Sequence, residues 1–145
     1  MNVARENLRI LLVDDDEQDC ELVRAALIKA GFTHPLTRLK NGGITMEYSK
    51  NTKATGASVP HIILLDLNMP HIDGVRALQQ LRATSLFHDV PVIILSGDDD
   101  PAKRREVAHL GIFRFLKKES NSANVVSALN DFLGFYNYEA SSQAE

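Results

Sequence analysis

Short apolar runs recur along the chain, and the three strongest are Leu8–Val13, His61–Asp66 and Val90–Ser96. Each run is too short for a core helix and is rich in Leu, Ile and Val without an alternating polar side. Such runs predict strands that are buried on both faces, as in a parallel sheet. Two weaker runs, Pro35–Leu39 and Ile112–Lys117, predict strands at or near the edges of that sheet.

Between these runs, apolar residues recur at the spacing of a helix. In Glu17–Ala30 the apolar side includes Cys20, which we expect to be a packing residue, and Gly31 is expected to end the helix. The other predicted helices are Gly43–Ser49, which has the weakest pattern, a helix that opens at Asp73-Gly74, one from Asp100-Pro101 to Gly111, and one over Ser122–Phe135. We expect a polar loop over Lys50–Pro60 and a frayed end over Glu139–Glu145.

Five strands that alternate with five helices predict an α/β fold, with a doubly wound parallel sheet and helices on both faces. In such sheets, ligands bind beyond the carboxyl ends of the strands, at the point where the strand order reverses. Candidate functional residues are therefore expected at that edge of the sheet.

Length and composition narrow the class of protein. The chain has 145 residues, of which 44% are hydrophobic and 24% are charged, as in one globular domain. A net charge of −3 offers no overall basic face to nucleic acid. One cysteine cannot form an internal disulfide, and no stretch resembles a signal peptide or a membrane span. We therefore expect a cytoplasmic protein with neither nucleic-acid nor membrane partners.

Polar side chains stand at the ends of the predicted strands. The first strand ends at Asp14 and Asp15, the third at Asp66, the fourth at Ser96, and two lysines close the fifth. If strands one and three are neighbours, the aspartates converge, and carboxylates about 4 Å apart repel by roughly 4 kcal/mol at an effective dielectric constant of about 20. A hard cation such as Mg²⁺ would remove that repulsion. The five histidines lack the spacing of a zinc site.

Four motifs at these strand ends resemble those of response-regulator receiver domains. They are "VDD" after the first strand, "LLDLNMPHIDG" after the third, "ILSG" after the fourth and "FLKK" at the fifth. The similarity extends from about Leu8 to Leu133. It implies a flavodoxin-like receiver fold with strand order 2-1-3-4-5, and a receiver domain over residues 7–135.

The resemblance also implies a role for each matching residue. Asp66 would be the nucleophile that accepts a phosphoryl group from the phosphohistidine of a sensor histidine kinase. Asp14, Asp15 and Asp66, with the backbone carbonyl of Asn68, would bind Mg²⁺ or Mn²⁺. Lys118 would pair with a phosphoryl oxygen.

Two further positions would form the switch. The Ser96 hydroxyl would move towards the phosphoryl group, and Phe115 occupies the aromatic switch position. Phe115 lacks the hydroxyl of the more common tyrosine, so we expect its position to depend less on phosphorylation. The family usually has a cis-bonded proline after the lysine, where this chain has Glu119. Because a non-proline cis bond costs about 3–4 kcal/mol, the Lys118–Glu119 bond is expected to be trans or strained.

A narrower resemblance is to the small receivers that are paired with bacterial phytochrome kinases. It is carried by "DLNMP", the long Lys50–Pro60 loop, the segment Lys118-Glu119-Ser120 and the aromatic "FLGFYNYE". It implies a phytochrome-type kinase as partner, and a homodimer to which Phe135, Tyr136 and Tyr138 contribute. Packing of these rings within the domain is the alternative.

The short stretch after Leu133 leads to an expectation of how the signal leaves the domain. Residues 136–145 would be a short, partly disordered tail, and no output domain would follow. The protein would then signal by binding another protein or by passing its phosphoryl group to a downstream phosphotransfer protein.

Several neighbouring residues have simpler explanations. Asp16 is expected to cap a helix, and Asp98–Asp100 to form a solvated loop and a cap. Lys117 competes with Lys118 for the active position, but the spacing from Phe115 favours Lys118.

Three other functions fit part of the pattern. A phosphatase resembling the haloacid dehalogenases also uses an aspartyl nucleophile, but Asn68 stands where its proton-donating aspartate is required. A flavin or dinucleotide binder would need a loop rich in Gly, Ser or Thr after the first strand, where "DDDEQD" would repel phosphate. A degenerate receiver would act as a phosphorylation-independent adaptor, which the complete set of candidate site residues disfavours.

Overall fold

The structure is a computed structural model that describes residues 2–39, 59–68, 73–83, 87–97, 101–119 and 121–143. Five parallel strands form one sheet: β1 Ile10–Val13, β2 Thr37–Leu39, β3 Ile62–Asp66, β4 Val92–Ser96 and β5 Ile112–Lys117. The helices in these ranges are α1 Glu17–Lys29, α2 Gly74–Ala83, α3 Pro101–Val107 and α4 Ala123–Gln143, preceded by a 3₁₀ turn at Arg5–Asn7. The order β2-β1-β3-β4-β5 confirms the predicted doubly wound sheet.

Some predicted features lie outside the described residues. They are the helix Gly43–Ser49, nearly all of the loop Lys50–Pro60, the acidic run Asp98–Asp100, and Ser120. Among the described helices, none is both long and apolar enough to cross a membrane.

The sheet has an apolar core on each face, because successive residues of a strand point to opposite sides. In β3, Ile62 and Leu64 belong to the core that α1 and α4 cover, whereas Ile63 and Leu65 belong to the core under α2 and α3. All four are buried, which explains why a central strand is apolar throughout. The edge strand β5 is only partly buried.

Local signals set both ends of α1. The carboxylate of Asp16 accepts hydrogen bonds from the backbone N–H groups of Gln18 and Asp19, so the predicted cap is confirmed. Beyond the other end, Gly31 has a φ of 99°, a left-handed conformation that glycine adopts without steric cost. Cys20 is buried on the apolar side, as predicted.

α2 begins in direct contact with the carboxyl end of β3. A Cβ added to Gly74 would lie 2.6 Å from the Cα of Leu67 and 2.9 Å from the carbonyl oxygen of Asp66. Both are backbone atoms that cannot rotate away, so a side chain would push the helix off the strand. Glycine at this position therefore lets α2 support the strand end that carries Asp66.

The last helix is longer than predicted. We expected it to end at Phe135 and to be followed by a tail that frays from Glu139, but α4 continues to Gln143. The prediction of a tail over residues 136–145 is therefore wrong as far as Gln143.

Contacts from distant parts of the chain explain the extra length. The backbone N–H of Val3 donates to Asn137 Oδ1 at 2.8 Å, and Asn137 Nδ2 donates to the Val3 carbonyl at 3.1 Å. The ring of Tyr136 packs edge-on against His61, with ring centroids 5.4 Å apart. The amino-terminal segment and the start of β3 thus cover α4 beyond the point where its apolar pattern weakens.

Candidate functional site

The carboxyl ends of β1 and β3 bring three carboxylates together. One oxygen from each of Asp14, Asp15 and Asp66 lies within 4.8 Å of the other two. Asp14 and Asp66 are buried, and Asp15 is partly exposed. The strand order therefore makes these aspartates converge, as the sequence predicted.

One oxygen of each buried carboxylate accepts a hydrogen bond from a backbone N–H. Asp14 Oδ1 accepts the N–H of Asp16 at 3.0 Å, and Asp66 Oδ1 accepts the N–H of Asn68 at 2.9 Å. The second oxygen of Asp14, Oδ2, is buried and accepts no hydrogen bond from the residues that the structure describes. Each Oδ1 atom keeps further acceptor capacity, so both oxygens of each carboxylate are open to an ion or a reacting group.

Lys118 contacts the second oxygens directly. Its Nζ lies 3.0 Å from Asp66 Oδ2, 3.4 Å from Asp14 Oδ2 and 3.0 Å from Asp19 Oδ2. Its backbone N–H donates to the carbonyl of Ser96 at 2.8 Å, which holds the end of β5 against β4.

The end of β5 answers two questions from the sequence: which of the two lysines reaches the carboxylates, and whether the peptide bond after Lys118 is cis or trans. Lys117 is exposed at the end of β5, so Lys118 is the lysine that reaches the carboxylates. No cis peptide bond occurs among the described residues, so the Lys118–Glu119 bond is trans.

Burial and charge change the acidity of two of these groups. Burial raises the pKa of Asp14 to about 6, although the hydrogen bond from Asp16 and the charge of Lys118 act in the opposite direction. Burial alone would lower the pKa of Lys118, but the hydrogen bond to Asp66 and the charges of Asp66 and Asp14 outweigh it and raise that pKa. At neutral pH the site therefore holds a firmly protonated ammonium among carboxylates.

The donor set fits a hard divalent cation. Carboxylate oxygens are the ligands that Mg²⁺ and Mn²⁺ prefer, and the cluster of Asp14, Asp15 and Asp66 contains only oxygen donors. Asp14 Oδ2 is buried and has only the 3.4 Å ion pair with Lys118 in place of a hydrogen bond among the described residues, and a cation would give it a direct partner.

Ser96 connects to a helix through Asn68. Ser96 is buried at the end of β4, and Asn68 Nδ2 donates to its hydroxyl oxygen at 3.3 Å. On the other side of the same amide, Lys103 Nζ donates to Asn68 Oδ1 at 3.0 Å. The amide therefore joins Ser96 to the first turn of α3.

Phe115 is partly buried and packs against the core under α2 and α3. The guanidinium carbon of Arg104 lies 4.9 Å from the centroid of the Phe115 ring, within the range of a cation–π contact. The ring thus has contacts on both its core side and its α3 side.

The three aromatic residues near the carboxyl end differ in their surroundings. Tyr136 packs against His61 and Phe132 and so contributes to the domain itself. Phe135 and Tyr138 are 52% and 69% exposed, and they leave apolar surface on α4.

Two residues at the site were not identified from the sequence, namely Asp19 and Lys103. Each lies in the first turn of a helix that follows a site strand, Asp19 in α1 and Lys103 in α3. A helix start next to a strand end lies at the same edge of the sheet, so position in the first turn was the available signal.

The fold and the site together define a doubly wound α/β domain with a carboxylate–lysine site at its switch point. Residues 10–130 match the response regulator receiver domain, and the chain belongs to this family. The family resemblance drawn from the four motifs is therefore confirmed.

Individual relatives are similar to this chain over most of its length. The response regulator Rcp1 of Synechocystis sp. is 28% identical over 131 residues, which cover 88% of this chain and 87% of the relative. The crystal structure of Mn(2+)-bound Rcp1 has a TM-score of 0.73 at 25% identity and covers 90% of this chain and 94% of that one. The phosphorylated cyanobacterial phytochrome response regulator RcpA has a TM-score of 0.74 at 26% identity, with 88% and 92% covered.

Proposed function

We propose that the protein is a response regulator that accepts a phosphoryl group on Asp66 from a sensor histidine kinase. The observation that carries this proposal is the position of Asp66 Oδ2, which lies 3.0 Å from Lys118 Nζ in a group with Asp14 and Asp15. Phosphorylated RcpA, which is similar over most of the chain, supports it. The protein would be a signalling domain whose own chemistry is limited to gaining and losing this group.

In the transfer, Asp66 Oδ2 attacks the phosphorus of the donor phosphohistidine. A P–O bond forms, the P–N bond breaks, and its electron pair stays on the imidazole nitrogen of the donor. The Lys118 ammonium lies beside the attacking oxygen and so stabilises negative charge on the phosphoryl oxygens.

Asp14, Asp15, Asp66 and the carbonyl of Asn68 would hold a divalent cation, whose positive charge would offset the charge of the transferring group. The oxygen donor set supports Mg²⁺ or Mn²⁺, and the Mn(2+)-bound structure of Rcp1 is in agreement. Asp14 and Asp66 are each oriented by a backbone N–H, so the chain holds them ready for this role.

We propose that Ser96 and Phe115 carry the response away from Asp66. When the Ser96 hydroxyl donates to a phosphoryl oxygen, it moves relative to the Asn68 amide that now contacts it. Because Lys103 holds the other end of that amide, the movement reaches α3. Phe115, which lies between Arg104 and the core, would adjust only slightly.

The partner would be a phytochrome-type histidine kinase, and the protein would act as a homodimer in the cytoplasm. The similarity to a cyanobacterial phytochrome response regulator supports a phytochrome-type kinase as the partner. The exposed rings of Phe135 and Tyr138 support self-association through α4. The signal would pass to a protein target or to a phosphotransfer protein. Phe135→Glu with Tyr138→Glu should convert the dimer to monomer in light scattering, and an unchanged mass would contradict this interface.

Phosphotransfer to Asp66→Asn tests the main proposal. The Asn variant keeps the size and polarity of the side chain but lacks the nucleophile, so label from an autophosphorylated kinase should fall to background. Asp131→Asn is the matched control, since this exposed carboxylate on α4 pairs with Arg114 and should leave labelling unchanged. Full labelling of the Asp66→Asn variant would show that Asp66 is not the acceptor.

Beryllofluoride with Mg²⁺ separates this function from that of a phosphorylation-independent adaptor. A working acceptor site should bind one beryllofluoride together with Mg²⁺ per chain. The binding should shift the NMR signals of the backbone amides around Ser96. Absence of binding to the folded wild-type protein would favour the adaptor.

A further inference from the structure

The Lys118 ammonium contacts two of the carboxylates that a cation would need. Asp14 Oδ1 and Asp66 Oδ1 each accept a backbone N–H, and Lys118 lies beside the other oxygen of each carboxylate. Lys118 Nζ is 3.0 Å from Asp66 Oδ2 and 3.4 Å from Asp14 Oδ2. A divalent cation bound by these two carboxylates would repel the ammonium beside them, so we expect Lys118 to give up part of both contacts when the cation binds.

Asp19 is the third carboxylate in contact with Lys118. Its Oδ2 accepts a hydrogen bond from Nζ at 3.0 Å, as short as the bond to Asp66. Asp19 is not among the three carboxylates grouped around a possible ion, and its side chain is 39% exposed. It can therefore keep Lys118 while the cation takes the other two.

The start of α1 explains why the Asp19 side chain is available. Asp19 is the third residue of the helix after the cap Asp16, where an acidic side chain commonly turns back to the N–H of the cap residue. Here Asp14 Oδ1 already accepts the N–H of Asp16 at 3.0 Å. The Asp19 carboxylate thus points to Lys118 instead of closing the helix end.

We propose that Asp19 is a positioning residue, which holds the Lys118 ammonium beside the site when a divalent cation takes the oxygens of Asp14 and Asp66. This inference rests on the proposed function, because it assumes that those oxygens bind the cation. Without Asp19, the ammonium contacts no carboxylate of the described residues except those two, and it competes more strongly with the cation.

The Mg²⁺ affinities of four proteins test this role: wild type, Asp19→Asn, Lys118→Ala and the double variant, each measured by calorimetry. Asp19→Asn should weaken Mg²⁺ binding by about 3- to 10-fold in the wild-type background, and by less than about 2-fold when Lys118 is absent. Glu17→Gln is the matched control, since it removes the same charge from the same helix turn and should change the affinity by less than about 2-fold.

The comparison distinguishes positioning from simple attraction between Asp19 and the cation. If Asp19 acts only through its charge, removal of Lys118 leaves that charge unscreened, and Asp19→Asn should weaken binding equally or more in the Lys118→Ala background. That result would overturn the positioning role while wild-type Mg²⁺ binding leaves the proposed function standing. Failure of the folded wild-type protein to bind Mg²⁺ would overturn both.

Two further measurements report on Lys118 itself. In Mg²⁺-saturated protein, the ¹⁵N signal of the Lys118 ammonium should persist in the wild type, because a hydrogen-bonded ammonium exchanges slowly, and should be lost in Asp19→Asn. Asp19→Glu keeps a carboxylate and should recover both the signal and most of the affinity. A signal that survives unchanged in Asp19→Asn would contradict the proposal.

Discussion

Lys118 Nζ lies 3.0 Å from Asp66 Oδ2, although the two residues are 52 positions apart in the chain. The Asp66 side chain is 2% exposed, and its carboxylate is paired with this ammonium on one oxygen and with the N–H of Asn68 on the other. The contact therefore links the stability of the domain to the geometry of its candidate phosphorylation site.

Removal of this ammonium should destabilise the metal-free protein. We expect Lys118→Ala to lower the free energy of unfolding by about 2–3 kcal/mol, less than for a fully buried pair because Lys118 is partly exposed. Saturating Mg²⁺ should recover part of that loss, because the cation replaces the missing positive charge. Urea unfolding with and without Mg²⁺ measures both effects. Lys117→Ala is the control, and a similar loss there would contradict the assignment.

Asp14 should make the metal-free protein less stable as the pH rises. Its pKa is raised from 3.8 to about 6 in the folded state, so the folded protein binds the proton more tightly than the unfolded chain does. The resulting stabilisation is complete below about pH 4 and is lost as the pH rises through 6. Asp14→Asn should therefore increase the unfolding free energy by about 1–3 kcal/mol at pH 7 and by little at pH 4. An equal gain at both pH values would exclude this cause.

Mg²⁺ affinity should depend on pH in the opposite sense. The cation requires the deprotonated carboxylate, so protons compete with it below the pKa of Asp14, which is about 6. We expect little change between pH 7 and 8, and a loss approaching about tenfold per pH unit well below 6. Calorimetric titration at several pH values measures this, and a flat profile from pH 5 to 8 would contradict the role of Asp14 as a ligand.

Arg82 should be sensitive even to replacement by lysine. Its guanidinium donates to three carbonyls, those of Leu110 at 2.6 Å, Phe87 at 2.8 Å and Gly111 at 3.1 Å. An ammonium cannot reproduce this planar arrangement, so Arg82→Lys should cost about 1–3 kcal/mol of unfolding free energy. The exposed Arg76 on the same helix provides the control, and Arg76→Lys should change stability by less than about 0.5 kcal/mol in the same urea titration.

Asn137 should hold the end of α4. Asn137→Ala removes both hydrogen bonds to Val3, and we expect a loss of about 1–2 kcal/mol with faster amide exchange in the last turns of the helix. Hydrogen exchange read out by NMR detects this locally. Glu139→Ala changes an exposed residue of the same helix and should leave exchange nearly unchanged; equal fraying in both variants would show that the Val3 contacts are unimportant.

Much of the site could be predicted because its residues follow buried strands. The runs that lead to Asp66 and to Asp14 are apolar without alternation, which by itself indicates strands buried on both faces. Because the two strands are parallel, their carboxyl ends lie at the same edge of the sheet. The position of Lys118 followed from its spacing to Phe115. Asp19 was assigned only to a helix. The residues around it in the sequence predict the first turn of that helix, but they carry no information about the side chain that Asp19 contacts.

The sequence by itself determined the strands, most of the helices, and the edge of the sheet where the aspartates meet, because hydrophobic periodicity and capping residues act over a few neighbouring positions. Only the tertiary structure decided that Asp19 shares Lys118 with Asp66, that Asn68 joins Ser96 to Lys103, and that α4 continues to Gln143. Each of these depends on side chains from segments that are distant in the chain. Their contacts are set by how helices and strands pack, and no local pattern records that packing.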